Sequence, residues 1–305
     1  MKQRNFGPWY ALPQGLWLSL FFAAPLGIIV VYSFLRKGLY GGVVPVFSLA
    51  AWHSLGSPIL LSVAFKTLLV SVAATAITIL IALPAGYSIA RSKNQTLRLF
   101  LIIVPFWTNF LIRVYAWISI LGTEGFLNDA LRFLGLVDSP LQFLYTQTTV
   151  TLVLVYMYLP YAILPLFSTI DKFDFTLLEA ARDLGASRLG AIVRILLPNI
   201  RGGIVTALLF TFIPIFGAYA VPLLVGGKDS YMLGNIIADQ VTKTRNWPLA
   251  SSISMAVSLL AAMGSLAFAW TSGRTASRSV ADGNEDQGLP ATQPVGISAF
   301  EKASP

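Results

Sequence analysis

Residues 179–200 read EAARDLGASRLGAIVRILLPNI, a charged segment in a chain that is otherwise strongly apolar. Only 11% of the 305 residues are charged and 56% are hydrophobic, whereas an ordinary soluble domain carries about 25% charged residues. So few charges cannot cover the water-facing surface of a protein of this size. The chain is therefore predicted to lie mostly in lipid, and segment 179–200 is predicted to leave it.

The remainder of the chain is predicted to form six membrane spans, because a spanning helix needs about 20 apolar residues. The stretches of sufficient length are 14–35, 62–90, 98–122, 148–170, 200–225 and 249–270. The first apolar run is longer than a signal-peptide core of about 7–15 residues, so we expect it to remain as an anchor. The predicted fold class is an all-α membrane protein: a terminus at 1–13, a six-span region at 14–270, and a disordered tail at 271–305.

The basic residues predict the orientation, because loops on the cytoplasmic side carry an excess of Lys and Arg. With a cytoplasmic amino terminus, the inner segments hold thirteen: Lys2, Arg4, Arg91, Lys93, Arg98, Lys172, Arg182, Arg188, Arg194, Arg201, Arg274, Arg278 and Lys302. The outer loops hold six: Arg36, Lys37, Arg132, Lys228, Lys243 and Arg245. Both termini and segment 179–200 are therefore expected in the cytoplasm.

Segment 171–198 has the local signals of a helical hairpin. Thr176 and Glu179 fit a capping box, which predicts a helix beginning near Leu177. Gly185 supplies the backbone conformation expected just past a helix end. Ser187 is placed to cap a second helix that runs to Pro198.

The first helix of this hairpin is expected to carry Leu177, Ala181 and Leu184 on one apolar stripe. Physical arguments alone leave two interpretations open. Glu179 and Gly185 could simply begin and end a helix in a solvated loop, or the hairpin could be a docking element for another protein.

The spacing of the motif favours the docking interpretation. The pattern EAA-x3-G-x9-I-x-LP, which begins at Glu179, resembles the EAA signature of the permease subunits of bacterial ATP-binding-cassette (ABC) importers. The resemblance implies a type I importer permease fold in which loop 171–198 contains a coupling helix that docks on a separate ATPase subunit. The candidate coupling residues are Glu179, Ala180, Ala181, Arg182, Asp183, Gly185 and Ser187.

Three further runs resemble the spermidine/putrescine branch of these permeases. They are VPFWTNFLIRVYAW (104–117), GFLNDALRFLG (125–135) and RNWPLASS (245–252), and the resemblance extends from about residue 12 to 270. It implies import of polyamines across a bacterial inner membrane, although importers of other small organic solutes or ions share parts of these runs. The implied partners are a second permease subunit in a heterodimer, two ATPase subunits, an extracytoplasmic solute-binding protein and membrane lipid.

The sequence lacks the motifs of an enzyme. It has no GxxxxGK[ST] pattern to hold ATP phosphates, no cysteine, and a single histidine, His53. We therefore expect no catalytic residues, metal or cofactor in this chain, and expect ATP to be used by the partner subunits. The net charge of +8 is attributed to membrane orientation rather than to nucleic acid.

Two other classes of membrane protein are alternatives to an importer permease. An ion-coupled secondary transporter usually has carboxylates within its spans, and the predicted spans contain no Asp or Glu. A non-transporting anchor or assembly factor would need neither proline-kinked spans nor a docking hairpin.

The candidate substrate path lies in the third and fourth spans. Asn109, Arg113 and Trp117 recur at helical spacing and are expected to share a face. An arginine within a span must face protein or water, find a partner, or extend to the membrane surface, and an interfacial aromatic belt remains the alternative interpretation. Arg113 would repel a polyamine unless it is paired. The complete set is Trp107, Asn109, Arg113, Tyr115, Trp117 and Tyr158.

Overall fold

The computed structural model describes residues 7–265, with side chains from residue 13. The predicted terminus at 1–13 is therefore described only in part, and the predicted tail at 271–305 lies outside the described residues. The helices are α1 (Gly7–Leu18), α2 (Ala24–Ser33), α3 (Ala50–Leu55), α4 (Pro58–Ala90), α5 (Gln95–Ile103), α6 (Phe110–Leu121), α7 (Phe126–Phe133), α8 (Gln147–Ile170), α9 (Thr176–Asp183), α10 (Arg188–Ala191), α11 (Leu197–Asn199), α12 (Arg201–Phe216), α13 (Ala220–Val225), α14 (Leu233–Thr242) and α15 (Trp247–Ser265).

The helical class is as predicted, with one addition. Loop 36–61 contains an antiparallel pair of strands, β1 (Leu35–Lys37) and β2 (Val43–Phe47). The β-branched and aromatic residues of VVPVF favour a strand. Gly41 and Gly42 adopt φ of +93° and +77° in the turn, a region that glycine enters at little cost.

Five described helices are long and apolar enough to cross a membrane, and the number is six when a bent pair is counted as one span. The bent pair is Arg188–Asn199 with Arg201–Phe216, and its two halves meet at 74°. This bend lies at Ile200, where the fifth predicted span, 200–225, begins. Within that span α12 ends at Phe216 and α13 begins at Ala220, so the span is not one helix.

The third predicted span, 98–122, is likewise two pieces. Helix α5 continues into a 3₁₀ turn over Val104–Trp107, and the chain is extended at Thr108. The side chain of Asn109 then accepts a hydrogen bond from the backbone N–H of Leu111 at 2.8 Å and caps α6. Asn109 therefore precedes the helix, so the predicted face shared by Asn109, Arg113 and Trp117 was wrong for Asn109.

Helices α4, α8 and α12 pack together as the core of the bundle. Small residues permit the close approach: a β-carbon added to Gly86 would lie 3.3 Å from the backbone nitrogen of Phe167, and one added to Gly203 would overlap Thr169. The buried hydroxyls of Thr67, Ser71 and Thr78 in α4 each donate to a backbone carbonyl four residues earlier. Their polar groups are therefore satisfied inside the bundle.

The run GFLNDALRFLG contains α7, which is fixed by a residue that the sequence analysis did not single out. Asn128 is fully buried. Its amide donates to the carbonyls of Gly122 and Leu141, both at 2.9 Å, and its oxygen accepts from the N–H of Leu141 at 2.8 Å. One side chain thus closes the loop around three backbone groups.

Candidate functional sites

The predicted hairpin is present and begins differently from the prediction. Oδ1 of Asp174 accepts hydrogen bonds from the hydroxyl of Thr176 at 2.8 Å and from its backbone N–H at 3.0 Å. The N–H of Glu179 donates instead to the carbonyl of Phe175 at 3.3 Å. The capping box was wrong because the carboxylate of Asp174 accepts from both donors of Thr176, including the N–H that the carboxylate of Glu179 was expected to reach. The same bonds lower the pKa of Asp174.

The end of α9 is as predicted. Gly185 has φ of +91°, its N–H donates to the carbonyl of Arg182 at 2.9 Å, and the N–H of Ala186 donates to the carbonyl of Ala181 at 3.0 Å. These paired bonds form a Schellman motif, which satisfies carbonyls that a helix end otherwise leaves free. The oxygen of Ser187 then accepts from the N–H of Gly190 at 3.0 Å and caps the next helix, as predicted.

The second helix of the hairpin widens before its proline. Pro198 has no N–H to donate, and residues Ile192–Leu196 form a π-helical turn in which the N–H of Leu197 reaches the carbonyl of Ile192. The side-chain amide of Asn199 donates to the carbonyl of Ile195 at 2.7 Å. The 74° bend into α12 follows at Ile200, where helix breaks next to proline are expected.

The two faces of α9 differ in burial. Leu178 is buried and Ala181 half-buried against the ends of α4, α8 and α12. Leu177 and Leu184 are 46% and 90% exposed, and Ala180 lies between them on the same face. The predicted stripe was therefore wrong for Ala181, which packs inward. We call Leu177, Ala180 and Leu184 the outward stripe.

The charged coupling candidates surround this stripe. Glu179, Arg182 and Asp183 are all exposed. An exposed apolar stripe flanked by charges has the composition expected of a surface that another protein covers. Hydrogen-bonded caps thus fix the turn between the two helices of the hairpin, and the outward stripe of α9 remains exposed.

A second site is an aromatic cluster at the broken third span. The guanidinium carbon of Arg113 lies 4.8 Å from the ring centre of Phe106. The ring of Tyr156 is 5.3 Å from that of Phe106 and 5.4 Å from that of Trp117, centre to centre. Aromatic pairs at these separations attract one another beyond their burial, and a cation over a ring face is attracted by the ring quadrupole.

Arg113 has an unusual environment. Its Nε and Nη1 atoms are buried and have no hydrogen-bond partner among the described residues. The ring of Phe106 covers the guanidinium in place of an acceptor. Such an arrangement is costly in a low-dielectric setting unless the charge is compensated nearby.

Trp117 and Tyr156 also line a cavity of about 720 Å³ between α4, α6 and α8. Its polar lining comes from one end of α8, at Gln147, Thr148 and Thr151. Cavities of this size accommodate small organic molecules. The cavity is therefore the part of the candidate path with room for a solute.

The structure brings only some of the predicted path residues together. Trp117 and Arg113 belong to the aromatic cluster, whereas Trp107 and Tyr115 are 78% and 57% exposed. Tyr158 is half-buried and its ring lies 5.8 Å from that of Tyr161. Phe106 was missing from the predicted set, because its contact with Tyr156 joins the 3₁₀ turn to α8 and cannot be derived from the spacing within one helix.

A bundle of apolar helices long enough to cross a membrane, with an exposed charged hairpin at one end, defines the chain as a membrane protein. The family model described as "Binding-protein-dependent transport system inner membrane component" matches residues 16–272, and the chain belongs to that family.

Relatives in this family support the assignment over nearly the whole chain. The Escherichia coli K12 spermidine/putrescine transport system permease protein PotB is 36% identical over 87% of this chain and 96% of its own length. The PotB of Haemophilus influenzae is 37% identical over 81% of this chain and 87% of its own. A second E. coli protein, the inner membrane ABC transporter permease protein YdcU, is 29% identical over 82% and 88%, respectively.

Solved structures support the fold. A chain of a bacterial ABC transporter involved in import of the acidic polysaccharide alginate aligns over 88% of this chain and 96% of its own, with a TM-score of 0.69 and 18% identity. The same kind of transporter in complex with an alginate pentasaccharide-bound periplasmic protein aligns over 85% and 91%, with a TM-score of 0.68 and 17% identity. The type I importer permease fold predicted from the sequence is confirmed.

Proposed function

We propose that this chain is one of two permease subunits, in a heterodimer, of an ATP-driven importer of polyamines such as spermidine and putrescine. The two PotB relatives are spermidine/putrescine transport system permease proteins, which supports this cargo class. The chain supplies half of the translocation path, and a separate pair of ATPase subunits hydrolyses ATP. A solute-binding protein delivers the cargo on the outer side.

The observation that carries the coupling role is the outward stripe on the capped helix α9. In this proposal the hairpin lies on the cytoplasmic side, together with both termini, in agreement with the distribution of Lys and Arg. Leu177, Ala180 and Leu184 meet a groove of the ATPase, and Glu179 meets a basic group beside it. Burying Leu184, which is 90% exposed, against a partner stabilises the contact by about 1.5–3 kcal/mol, and burying the exposed 46% of Leu177 adds about half as much.

The aromatic cluster supports a path for organic cations. Ring faces attract a passing ammonium group by about 0.5–2 kcal/mol, which is weak enough for release. The positive charge of Arg113 opposes this attraction, so its compensation by another subunit belongs to the proposal. The same residue favours the alternative, a permease for a different small solute that carries a carboxylate or another acceptor.

One experiment tests the cargo. The complex is purified with its ATPase subunits and binding protein, reconstituted in nanodiscs, and its ATP hydrolysis is measured with the binding protein empty or loaded. We expect loading with spermidine or putrescine to accelerate hydrolysis. Acceleration only by a carboxylate-bearing solute, with none by polyamines, would reject the polyamine assignment and select the alternative.

A further inference from the structure

A cleft of about 350 Å³ lies where the hairpin meets the end of α4. Its charged rim consists of Arg91, Arg182 and Arg188, with Glu179 as the one carboxylate. Arg91 follows the last residue of α4, whereas the other three belong to the hairpin. Two parts of the chain that are distant in sequence thus direct three guanidinium groups to one space. We call it the arginine cleft.

None of the three arginines forms an ion pair with nitrogen and oxygen within 4.0 Å among residues 7–265, where the ion pair of that kind is Lys243–Asp239. The guanidinium carbon of Arg91 lies 5.2 Å from the ring centre of Phe175, and the neighbouring Tyr87 and Glu179 raise the pKa of Arg91. With three arginines and one glutamate, the lining of the cleft carries an excess of two positive charges.

The floor of the arginine cleft is apolar. Leu178, Ala191 and Ile192 line it, and Tyr87 stands one turn inside the end of α4. Tyrosine is typical of the boundary between hydrocarbon and head groups. A cationic rim over an apolar floor, with a tyrosine beside it, matches an amphiphile with an anionic head.

We propose that the arginine cleft binds the phosphate group of an anionic phospholipid of the cytoplasmic leaflet, an assignment that rests on the orientation proposed above. Guanidinium groups bind phosphate oxygens through paired N–H donors. Basic pockets at the cytoplasmic ends of spanning helices recognise phospholipid head groups. The apolar floor contacts the glycerol and the first methylene groups of the lipid. A site for a protein carboxylate would not require such a floor.

This site is compatible with docking of the ATPase. The lipid occupies the side of the hairpin that faces α4, whereas the outward stripe stays free. A bound phosphate would bridge Arg91 and Arg188 and so hold the hairpin against the end of the bundle. The lipid is thereby a ligand of the coupling element itself.

The test uses the assembled complex in detergent, titrated with phosphatidylglycerol and followed by native mass spectrometry. We expect phosphatidylglycerol to bind more tightly than phosphatidylcholine. Arg91→Gln and Arg188→Gln should each weaken the binding about fivefold, with a larger loss in the double variant. Each basic group near an anionic membrane surface contributes a binding free energy that corresponds to about this factor. Arg188→Lys should weaken the binding less than Arg188→Gln, because lysine keeps the charge but lacks the paired N–H donors. Arg194→Gln, on the same helical segment and outside the cleft, is the matched control.

Equal binding of the two lipids, or unchanged phosphatidylglycerol binding by the double variant in an intact complex, would overturn the proposal. Inorganic phosphate is titrated in a separate arm by calorimetry. Binding of inorganic phosphate that is lost in the double variant, without selective binding of phosphatidylglycerol, would also overturn the lipid assignment. Polyamine uptake by the same wild-type preparation, after its reconstitution in proteoliposomes, separates the two proposals, since failed uptake with intact lipid binding rejects the transport proposal alone.

Discussion

Replacing Gly185 with alanine tests whether the turn of the hairpin sets its geometry. No atom lies within 4 Å of the place where a β-carbon would stand, and φ is +91°. The cost is therefore conformational rather than steric, about 1–2 kcal/mol for a residue other than glycine in the left-handed region. This energy changes the ratio of the native turn to its alternatives by a factor of about 5–30.

The alternative available to alanine is a negative φ, which breaks the turn. It would release the N–H of Gly185 from Arg182 and that of Ala186 from Ala181, at about 1 kcal/mol for each bond. Both outcomes disturb the direction in which Ser187 begins the second helix. We expect Gly185→Asn to be milder, because asparagine tolerates this conformation.

The assay measures polyamine uptake and ATP hydrolysis by the complex in proteoliposomes. We expect uptake per ATP to fall in the order wild type, Gly185→Asn, Gly185→Ala, with the same amount of protein inserted. Gly202→Ala is the matched control, since that site in α12 has negative φ and open space. Uptake by Gly185→Ala equal to that of the wild type and the control would refute the role of this turn in coupling.

Two further predictions concern packing and the loop at the other end of the bundle. Gly203→Ala should lower the Tm of the purified protein, because its β-carbon would overlap Thr169 and overpacking costs about 1–3 kcal/mol. The control, Gly202→Ala, should leave the Tm unchanged or raise it. Equal Tm values for the two variants would contradict the close approach of α12 to α8. Asn128→Leu should speed proteolysis of loop 123–146, because three backbone groups lose their partner at about 1–3 kcal/mol for each buried group, whereas Asp129→Asn on the exposed face should not.

The local geometry of the hairpin could be predicted because its causes lie within a few residues. A glycine and a serine two positions apart specify the end of one helix and the start of the next, and Gly185 and Ser187 do so here. The same reasoning failed at Thr176, where Asp174 competed for the hydroxyl. Short polar side chains offer several alternative caps, and spacing alone does not rank them.

The breaks in the spans and the aromatic cluster could not be predicted in the same way. Apolar runs measure length, but they do not tell where Asn109 or a proline interrupts the helix. The contact between Phe106 and Tyr156 depends on how the 3₁₀ turn meets α8, which is a tertiary property. Burial of Asn128 likewise follows from the path of the loop, although its position within an otherwise amphipathic helix was visible.

The bend at Ile200 gives the second helix of the hairpin the geometry of a lever arm. The segment Arg188–Asn199 comprises 12 residues, a rigid arm about 18 Å long, and it joins α12 at 74°. Turning this corner piece by about 10° would move the far end of the arm by about 3 Å. In the proposed coupling role, a sideways displacement of the tip of the arm would rotate α12, which packs in the middle of the bundle. The pivot of this rotation lies beside Pro198.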